Sequence, residues 1–289
     1  MKVNFFIVGA PKSGTTSLYN YLNQHPEIVM SSQKEPDYFS DYKIQKQGLY
    51  YTKNRIDTIE KYIKLFDTTK KKVIYGEASV SYLFYEDIAK NIKEYNSDAK
   101  IIFLLRNPID RAFSHYLMDY RLGFVKDTFE NIIFKKTNHK DRDLFFQQYL
   151  SVGEYAKQIE RYLDVFAKKD ILIIDYEDFS LDLNITIKRI FSFLNVNDKF
   201  LPDLKVSHNK FVVSKNILIR FLYSYSRIRN LISFILPQFL LIYIRHIFFQ
   251  DWNKPQISNK TRTKLKDYFA DDIMSLSNIL DKDYSRWIK

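Results

Sequence analysis

The sequence predicts an α/β protein in which helices flank a mainly parallel central sheet. Short apolar runs typical of buried strands alternate with helical patterns through about residue 194, and this alternation favours parallel strands joined by helical crossovers. The run at 101–105 is five consecutive apolar residues, as expected for a parallel strand that is covered on both faces. Ligands of such sheets bind beyond the carboxyl ends of the strands.

The other elements follow from the same two patterns. Further strands are expected at residues 5–8, 28–30, 73–75 and 171–174, with a loop at 76–81 after the third of these strands. Helices are expected at 15–24, 56–66, 87–95, from about 109, and at 128–148, 153–166 and 185–194. We expect one domain over residues 1–289, with an α/β core at about 1–205 and a helical part at about 206–289.

The segment at residues 9–17 has the composition of a phosphate-binding loop. It joins the first strand to a helix, so free backbone N–H groups and the positive end of the helix dipole face a ligand there. Glycines permit close approach of the backbone, hydroxyls donate to oxygens, and a lysine supplies a point charge. The residues expected to bind the phosphate are Lys12, Ser13, Gly14, Thr15, Thr16 and Ser17.

This loop differs from the Walker A loop of P-loop nucleotidases. Walker A places its lysine directly after the second glycine. Gly9 and Gly14 have the Walker spacing, but Thr15 stands at the lysine position and Lys12 precedes the second glycine by two residues. The pattern therefore indicates a different kind of phosphate loop.

Together with this loop, KEPDYF at 34–39 and LLRNPIDRAFSHY at 104–116 carry a family resemblance. The sequence resembles the sulfotransferases that use 3′-phosphoadenosine 5′-phosphosulfate (PAPS), in particular the carbohydrate, heparan-sulfate-type and bacterial branch. The resemblance implies a P-loop-like fold and transfer of the sulfuryl group of PAPS to a hydroxyl, or an amine, of a carbohydrate or glycolipid acceptor. It covers the whole chain and is most specific in residues 1–40 and 73–116.

The resemblance also implies roles for three residues. Lys12 matches the family's lysine that contacts the donor phosphate and the leaving oxygen, and Arg106 and Ser114 match the pair that holds the 3′-phosphate. By position alone, an arginine after a buried strand and a serine two turns into the next helix can both reach an anion at the sheet edge. Pairing of Arg106 with a carboxylate such as Glu177 is the alternative. Arg111 and its neighbour Asp110 are interpreted as structural.

Two glutamates are candidates for the base that takes the acceptor's proton. Glu35 lies in a K-E-x-x-x-F context that matches the family branch, and Glu77 follows the strand expected at 73–75. Either must reach the acceptor oxygen, and we favour Glu35. In some glycosaminoglycan enzymes a lysine follows the glutamate that matches Glu77, whereas Ala78 stands there in this chain.

Composition limits the remaining chemistry. The chain has no cysteine, and its five histidines show no metal-ligand spacing, so we expect neither a thiolate nucleophile nor a metal. The net charge of +11 favours an anionic partner, although a solvated lysine-rich surface explains it equally well. We expect no binding of nucleic acid, because no recognised binding motif or continuous basic face is present.

Two features bear on location. A strand is expected directly after the first few residues, without a signal peptide or anchor, which favours a cytoplasmic bacterial enzyme. The stretch 230–244 has no charged residue but contains Pro237 and is shorter than a spanning helix. It is interpreted as helices packed on the core, or as a peripheral contact with the inner face of a membrane.

Three other functions are compatible with parts of the sequence. A P-loop kinase or nucleotidase could use ILIID at 171–175 as a Walker B strand, but the displaced lysine and the Arg106–Ser114 pair argue against it. A basic nucleic-acid-binding protein would use the net charge. A binding module with an inactive PAPS fold would be expected to lack Lys12 or Glu35.

Overall fold

The computed structural model describes residues 1–51, 55–70, 73–204, 212–214, 249–251 and 255–289. Five strands form one sheet in the order β2-β3-β1-β4-β5, and every pairing in it is parallel. The predicted mainly parallel central sheet is therefore confirmed. The strands are β1 (Phe5–Gly9), β2 (Ile28–Met30), β3 (Ile74–Ala78), β4 (Lys100–Leu105) and β5 (Ile171–Asp175).

Helices cover both faces of this sheet and continue beyond it. In chain order they are α1 (Thr15–Leu22), α2 (Asp41–Gln47), α3 (Ile59–Ile63), α4 (Ile88–Tyr95), α5 (Pro108–Leu122), α6 (Phe129–Ile133), α7 (Arg142–Tyr149), α8 (Tyr155–Leu163), α9 (Tyr176–Leu181), α10 (Leu183–Leu194) and α11 (Asn259–Leu280). A short antiparallel ribbon of β6 (Val212–Ser214) and β7 (Phe249–Asp251) was not predicted.

The central strand β1 divides the interior into two cores. Its side chains alternate between the two faces of the sheet, as the pleat requires. Phe6 and Val8 pack in one core, whereas Phe5 and Ile7 pack in the other. Each buried side chain of this size stabilises the fold by roughly 1.5–3 kcal/mol, so the sheet is a rigid support for the loops at its carboxyl edge.

The third strand is longer than the sequence pattern predicts. Residues 76–78 continue the ladder with β1, so the expected loop at 76–81 is wrong for its first three positions. Gly76 lies under the ring of Phe5, where an added Cβ would stand 2.0 Å from Cζ. A glycine that signals a turn in the sequence thus provides space for a neighbouring strand's aromatic side chain.

Two helix predictions were also too long. The helix expected at 56–66 is limited to Ile59–Ile63. The helix expected at 128–148 is two helices, α6 and α7, separated by a turn in which Lys135 has a positive φ of 55°. The break follows from this left-handed residue, which a continuing helix cannot contain.

The carboxyl-terminal helix α11 packs against α8 and α5. The carboxylate of Asp272 accepts hydrogen bonds from the backbone N–H groups of Tyr155 and Ala156 at 2.7 and 3.0 Å, so α11 caps the start of α8. The stretch 230–244 lies outside the described residues, and the expected division near residue 205 stays a prediction. Among the described helices, none has the length and apolarity needed to span a bilayer.

Candidate active site

A cavity of about 860 Å³ opens at the carboxyl edge of the sheet. Loops that follow β1, β2, β3 and β4 meet there, as expected for a doubly wound sheet. Eight of the residues singled out in the sequence line it: Lys12, Gly14, Thr15, Thr16, Ser17, Glu35, Arg106 and Ser114.

The ninth predicted residue, Ser13, has a different environment. Its side chain is fully buried, its hydroxyl has no hydrogen-bond partner among the described residues, and it does not line the cavity. Its backbone N–H donates to the carbonyl of Ala10 at 3.3 Å. The contribution of Ser13 is therefore to the shape of the loop.

The loop between β1 and α1 requires a glycine at its end. Gly14 has a φ of 91° and ψ of 7° at the N-terminal cap of α1, a left-handed conformation that favours glycine. An added Cβ would also stand 3.2 Å from the ring of Phe179. No side chain of the described chain caps this end of α1, so the first N–H groups of the helix face the cavity.

The ammonium group of Lys12 is held beside this helix end. Its only hydrogen-bonding contact in the described chain is the thioether sulfur of Met118, 3.4 Å from Nζ. Burial lowers the pKa of Lys12 to about 8, with a smaller contribution from the charge of Arg121, while the carboxylates of Asp119 and Glu35 oppose this shift. The site therefore holds a cation that is poorly solvated and has no oxygen ligand from the residues that the structure describes.

Arg106 reaches the same loop from the end of β4. Its Nη1 donates to the carbonyl of Lys12 at 3.0 Å, and its guanidinium lies 4.6 Å from the ring centre of Tyr176. No carboxylate of the described residues pairs with Arg106, and Glu177 has a buried oxygen without a partner. The alternative that Arg106 serves an ion pair with Glu177 is therefore not supported.

Glu35 approaches the cavity from the loop after β2. Its backbone has a φ of 57°, and its N–H donates to the carbonyl of Ala78 at the end of β3, at 2.9 Å. Lys34 holds its carboxylate, with Nζ 2.5 Å from Oε1. The Glu35 side chain remains 27% exposed, so a substrate can reach it.

The rival base Glu77 is enclosed within the fold. It lies in β3, is fully buried, and does not line the cavity. Its carboxyl group accepts hydrogen bonds from the hydroxyls of Tyr62 and Ser79, the latter at 2.6 Å. Burial raises the pKa of Glu77 to about 7. The geometry thus separates the two glutamates into an accessible one and a buried one.

Arg111 and Asp110 make contacts within the fold. Arg111 is fully buried, and its Nη2 donates to the backbone carbonyls of Gln148 and Tyr149 at 3.1 and 2.5 Å. Asp110 forms an ion pair with Arg262 of α11 at 2.8 Å. Arg111 therefore joins α5 to the end of α7, and Asp110 joins α5 to α11.

Sequence reasoning identified Ser114 on α5 but missed two further residues of that helix that line the cavity, Met118 and Arg121. Ser114, Met118 and Arg121 all line the cavity, and their spacing of i, i+4 and i+7 places them on one helix face. That spacing was readable from the sequence, counting forward from Ser114. Their neighbour Asp119 is fully buried.

A buried network surrounds Asp119. Its carboxylate accepts hydrogen bonds from the hydroxyls of Tyr50, Tyr51 and Tyr149 at 2.6, 2.7 and 2.8 Å. Burial raises the pKa of Asp119 to about 6, against the opposing effect of these hydrogen bonds. The network fixes residues 50–51 against α5, and Tyr51 reaches the cavity. No sequence pattern indicated these contacts, because they join segments far apart in the chain.

Asp175, the aspartate of the possible Walker B strand, also makes its contacts within the fold. It is almost completely buried and bonded to Tyr284, Lys282 and Arg286 at 3.0, 2.7 and 2.5 Å. It does not line the cavity. Its partners belong to the carboxyl-terminal end of the chain, which favours a structural role over binding of a metal–nucleotide complex.

Comparisons with known proteins identify a matching family and related sequences. The sulfotransferase domain family matches residues 2–275. Mouse carbohydrate sulfotransferase 15 is 27% identical over 244 residues, covering 67% of this chain and 44% of that protein. The membrane-associated sulfotransferase kil1 of Dictyostelium discoideum is 34% identical over 170 residues, covering 55% and 33%. The chain thus spans less than half the length of these relatives.

A solved structure covers the whole chain. The crystal structure of a sulfotransferase from Alicyclobacillus acidocaldarius is 29% identical to this sequence, covers 100% of both chains and superposes with a TM-score of 0.75. The described sheet and its flanking helices are therefore the architecture of a known group of enzymes.

Proposed function

This chain belongs to the sulfotransferase domain family, and we propose that its donor is PAPS and its acceptor a hydroxyl, less readily an amine, of a carbohydrate or glycolipid. Sulfuryl transfer resembles phosphoryl transfer, in which positioning and charge stabilisation dominate. A sulfuryl group carries less charge than a phosphoryl group, so a lysine can take the place of a divalent metal. Among the described residues, no cluster suited to holding a metal ion is present.

The observation that carries this proposal is the environment of Lys12. Its ammonium faces the cavity beside the uncapped start of α1, with only the Met118 thioether as a contact in the described chain. A cation that is partly desolvated and without an oxygen ligand is suited to a phosphate group. Thr15, Thr16 and Ser17 add hydroxyls and N–H groups at the same place.

Arg106 and Ser114 supply the second anion site. Arg106 is oriented by its bond to the Lys12 carbonyl and by the ring of Tyr176, so less side-chain entropy is lost on binding. Ser114 lies on the cavity face of α5. We assign the 3′-phosphate of the donor to this pair.

The reaction follows from these positions. The acceptor oxygen attacks the sulfur in line, and the bond from sulfur to the 5′-phosphate oxygen breaks. Its electron pair stays on that oxygen, where the Lys12 ammonium stabilises the developing negative charge. Glu35 takes the proton of the acceptor hydroxyl, and the products are a sulfate ester and 3′-phosphoadenosine 5′-phosphate (PAP).

The relatives support a carbohydrate acceptor. They include carbohydrate sulfotransferase 15 and human heparan sulfate glucosamine 3-O-sulfotransferase 3B1, the latter 26% identical over 204 residues. These names describe those proteins, and this chain's own cavity must provide the acceptor's binding site.

Calorimetric titration with PAP and with ADP, in the absence of metal, tests the donor. We expect PAP to bind at least about tenfold more tightly than ADP, because the 3′-phosphate gains charge-assisted bonds from Arg106. Arg106→Ala should remove this preference. Equal affinities in the wild type, or binding of ADP only with Mg²⁺, would contradict PAPS as the donor.

A further inference from the structure

The side chain of Met118 contacts the lysine that we propose meets the leaving oxygen. Met118 lies on α5, one helical turn after Ser114, and lines the cavity. Its sulfur stands 3.4 Å from Nζ of Lys12, a residue 106 positions earlier in the chain. The reaction proposed above assigns no part to this side chain.

The chemistry of a thioether makes this contact weak. Sulfur in a thioether is a poor hydrogen-bond acceptor, whereas an ammonium group has three N–H donors. The contact with Met118 therefore uses one donor of Lys12 and leaves two for the oxygens of a ligand. A carboxylate oxygen at the same place would bond the ammonium more strongly, so part of the charge of the lysine would be satisfied before a ligand binds.

The carboxylates whose charges act on Lys12 have other partners. Asp119 accepts hydrogen bonds from three tyrosine hydroxyls, and Glu35 is bonded to Lys34. Both carboxylates raise the pKa of Lys12, but burial outweighs them and lowers that pKa to about 8. Among the described residues, Met118 is the hydrogen-bonding neighbour of the ammonium.

The side chain of Lys12 is restrained at both of its ends. Its backbone has a φ of 69°, in the left-handed region that residues other than glycine rarely adopt. Its carbonyl accepts a hydrogen bond from Arg106 at 3.0 Å, and the contact with Met118 restrains the ammonium. A lysine side chain loses rotamer freedom when it binds a ligand, and a side chain that is already restrained loses less of it.

From these contacts we infer that Met118 is a positioning residue for Lys12. Its thioether holds the ammonium where the 5′-phosphate and the leaving oxygen of the donor bind, and it leaves the charge of the lysine available to them. An interaction of this lysine accelerates the reaction only where it is stronger with the leaving group than in the free enzyme. The inference rests on the proposed function, because it concerns a residue of the same donor site.

Two substitutions at residue 118 change the acceptor while they keep the approximate size of the side chain. Met118→Leu keeps an apolar side chain and removes the acceptor. Met118→Gln places an amide oxygen near the ammonium. Met274 on α11 is 56% exposed and does not line the cavity, so Met274→Leu and Met274→Gln are the matched controls. Thermal unfolding shows whether each variant is folded.

Calorimetric titration with PAP, between about pH 6.5 and pH 10, measures how well Lys12 binds the phosphate. In the wild type the affinity should fall as the pH rises through about 8, because the free protein loses the ammonium charge there. At pH 7, both substitutions of Met118 should weaken PAP binding at least threefold. In Met118→Leu the ammonium is no longer held, and in Met118→Gln its charge is partly satisfied by the amide.

The pH at which the affinity falls should move in opposite directions in the two variants. Loss of the acceptor should lower the pKa of Lys12 in Met118→Leu, and the amide oxygen should raise it in Met118→Gln, each by at least about half a pH unit. Titrations at pH 8 in buffers of different ionisation enthalpy also give the proton uptake on binding. This uptake should be larger than in the wild type for Met118→Leu, smaller for Met118→Gln, and abolished in Lys12→Met.

A side chain that only fills space would weaken PAP binding without these opposite shifts. The inference is overturned if Met118→Leu binds PAP at pH 7 as tightly as the wild type, or if the two variants do not shift the pH dependence in opposite directions. The same shifts in the Met274 controls would also overturn it. A wild-type protein that does not bind PAP is a separate outcome, because it would contradict the proposed function and not the role of Met118.

Discussion

Charged side chains beside the two faces of α5 differ in how many hydrogen bonds they make within the fold. On the cavity face, Met118 is the only described hydrogen-bonding contact of the Lys12 ammonium. On the interior face, Arg111 donates to two backbone carbonyls, and Asp119 accepts from three tyrosine hydroxyls.

This difference distinguishes charged side chains that stabilise the fold from charged side chains that are available to bind a ligand. A buried charge that is bonded within the protein cannot be removed without leaving its partners unsatisfied. A charge that faces a cavity with few internal bonds contributes little to stability, and its interaction energy is available to a substrate. The contrast can be tested one residue at a time.

The largest effect should come from Lys12→Met. Removal of the cation that we propose meets the leaving oxygen should lower kcat/KM for PAPS by on the order of a thousandfold. The midpoint of thermal unfolding should change little, since the ammonium has no oxygen partner in the described chain. Lys199→Met, at an exposed lysine outside the cavity, is the matched control. Equal losses in both variants would break the comparison.

Glu35→Gln should have the next largest effect. Loss of the proposed base should lower kcat by roughly 100-fold or more. The affinity for PAP should be almost unchanged, because Glu35 is not among the residues that we assign to the phosphates of the donor. Steady-state kinetics and calorimetry separate the two quantities. A kcat within threefold of the wild type would exclude Glu35 as the base.

Glu77→Gln should alter stability instead of catalysis. The folded-state pKa of Glu77, about 7, lies above its ordinary value of 4.5, so the folded protein retains a proton that the unfolded chain releases between these values. This contribution to stability is complete below about pH 4.5 and is lost as the pH rises to about 7. Its size is on the order of 3 kcal/mol.

Urea unfolding at pH 5 and pH 8 measures this effect. The glutamine variant should lack the part of the pH dependence that Glu77 causes, while its kcat at neutral pH stays within a few-fold of the wild type. Unaltered pH dependence of the unfolding free energy would contradict the raised pKa of Glu77. A loss of kcat as large as that of Glu35→Gln would place Glu77 in the reaction.

The smallest effect should come from Tyr149→Phe. This change removes one of the three hydroxyls that bond Asp119 and should lower the free energy of unfolding by about 1.5 kcal/mol. The hydroxyls of Tyr50 and Tyr51 still bond Asp119, so kcat/KM should stay unchanged. Denaturant titration measures the free energy of unfolding, and initial rates measure kcat/KM. A loss of kcat/KM without a loss of stability would show that the hydrogen bonds around Asp119 contribute to catalysis.

Much of the cavity wall formed by residues 11–17 and Arg106 could be predicted, because its sequence signals are local. A strand, a glycine turn, a lysine and a run of hydroxyls lie within 5–17, and Arg106 directly follows an apolar run. What could not be predicted depends on contacts between distant segments. The glycine at 76 belongs to a strand because the ring of Phe5 covers it, and Tyr50 reaches Asp119, 69 residues away. Local periodicity contains no information on such contacts.

The most direct measurement compares Arg106→Met with Arg111→Met, two arginines five positions apart. Each variant is titrated with PAP in a calorimeter and unfolded in urea at low temperature. We expect Arg106→Met to lose at least tenfold in PAP affinity with its unfolding free energy within about 1 kcal/mol of the wild type. Arg111→Met should lose about 3 kcal/mol of stability while its folded fraction binds PAP within threefold of the wild type. The reverse pattern, with Arg111 needed for PAP and Arg106 for folding, would contradict the division between charged groups that face the cavity and charged groups that are bonded within the fold.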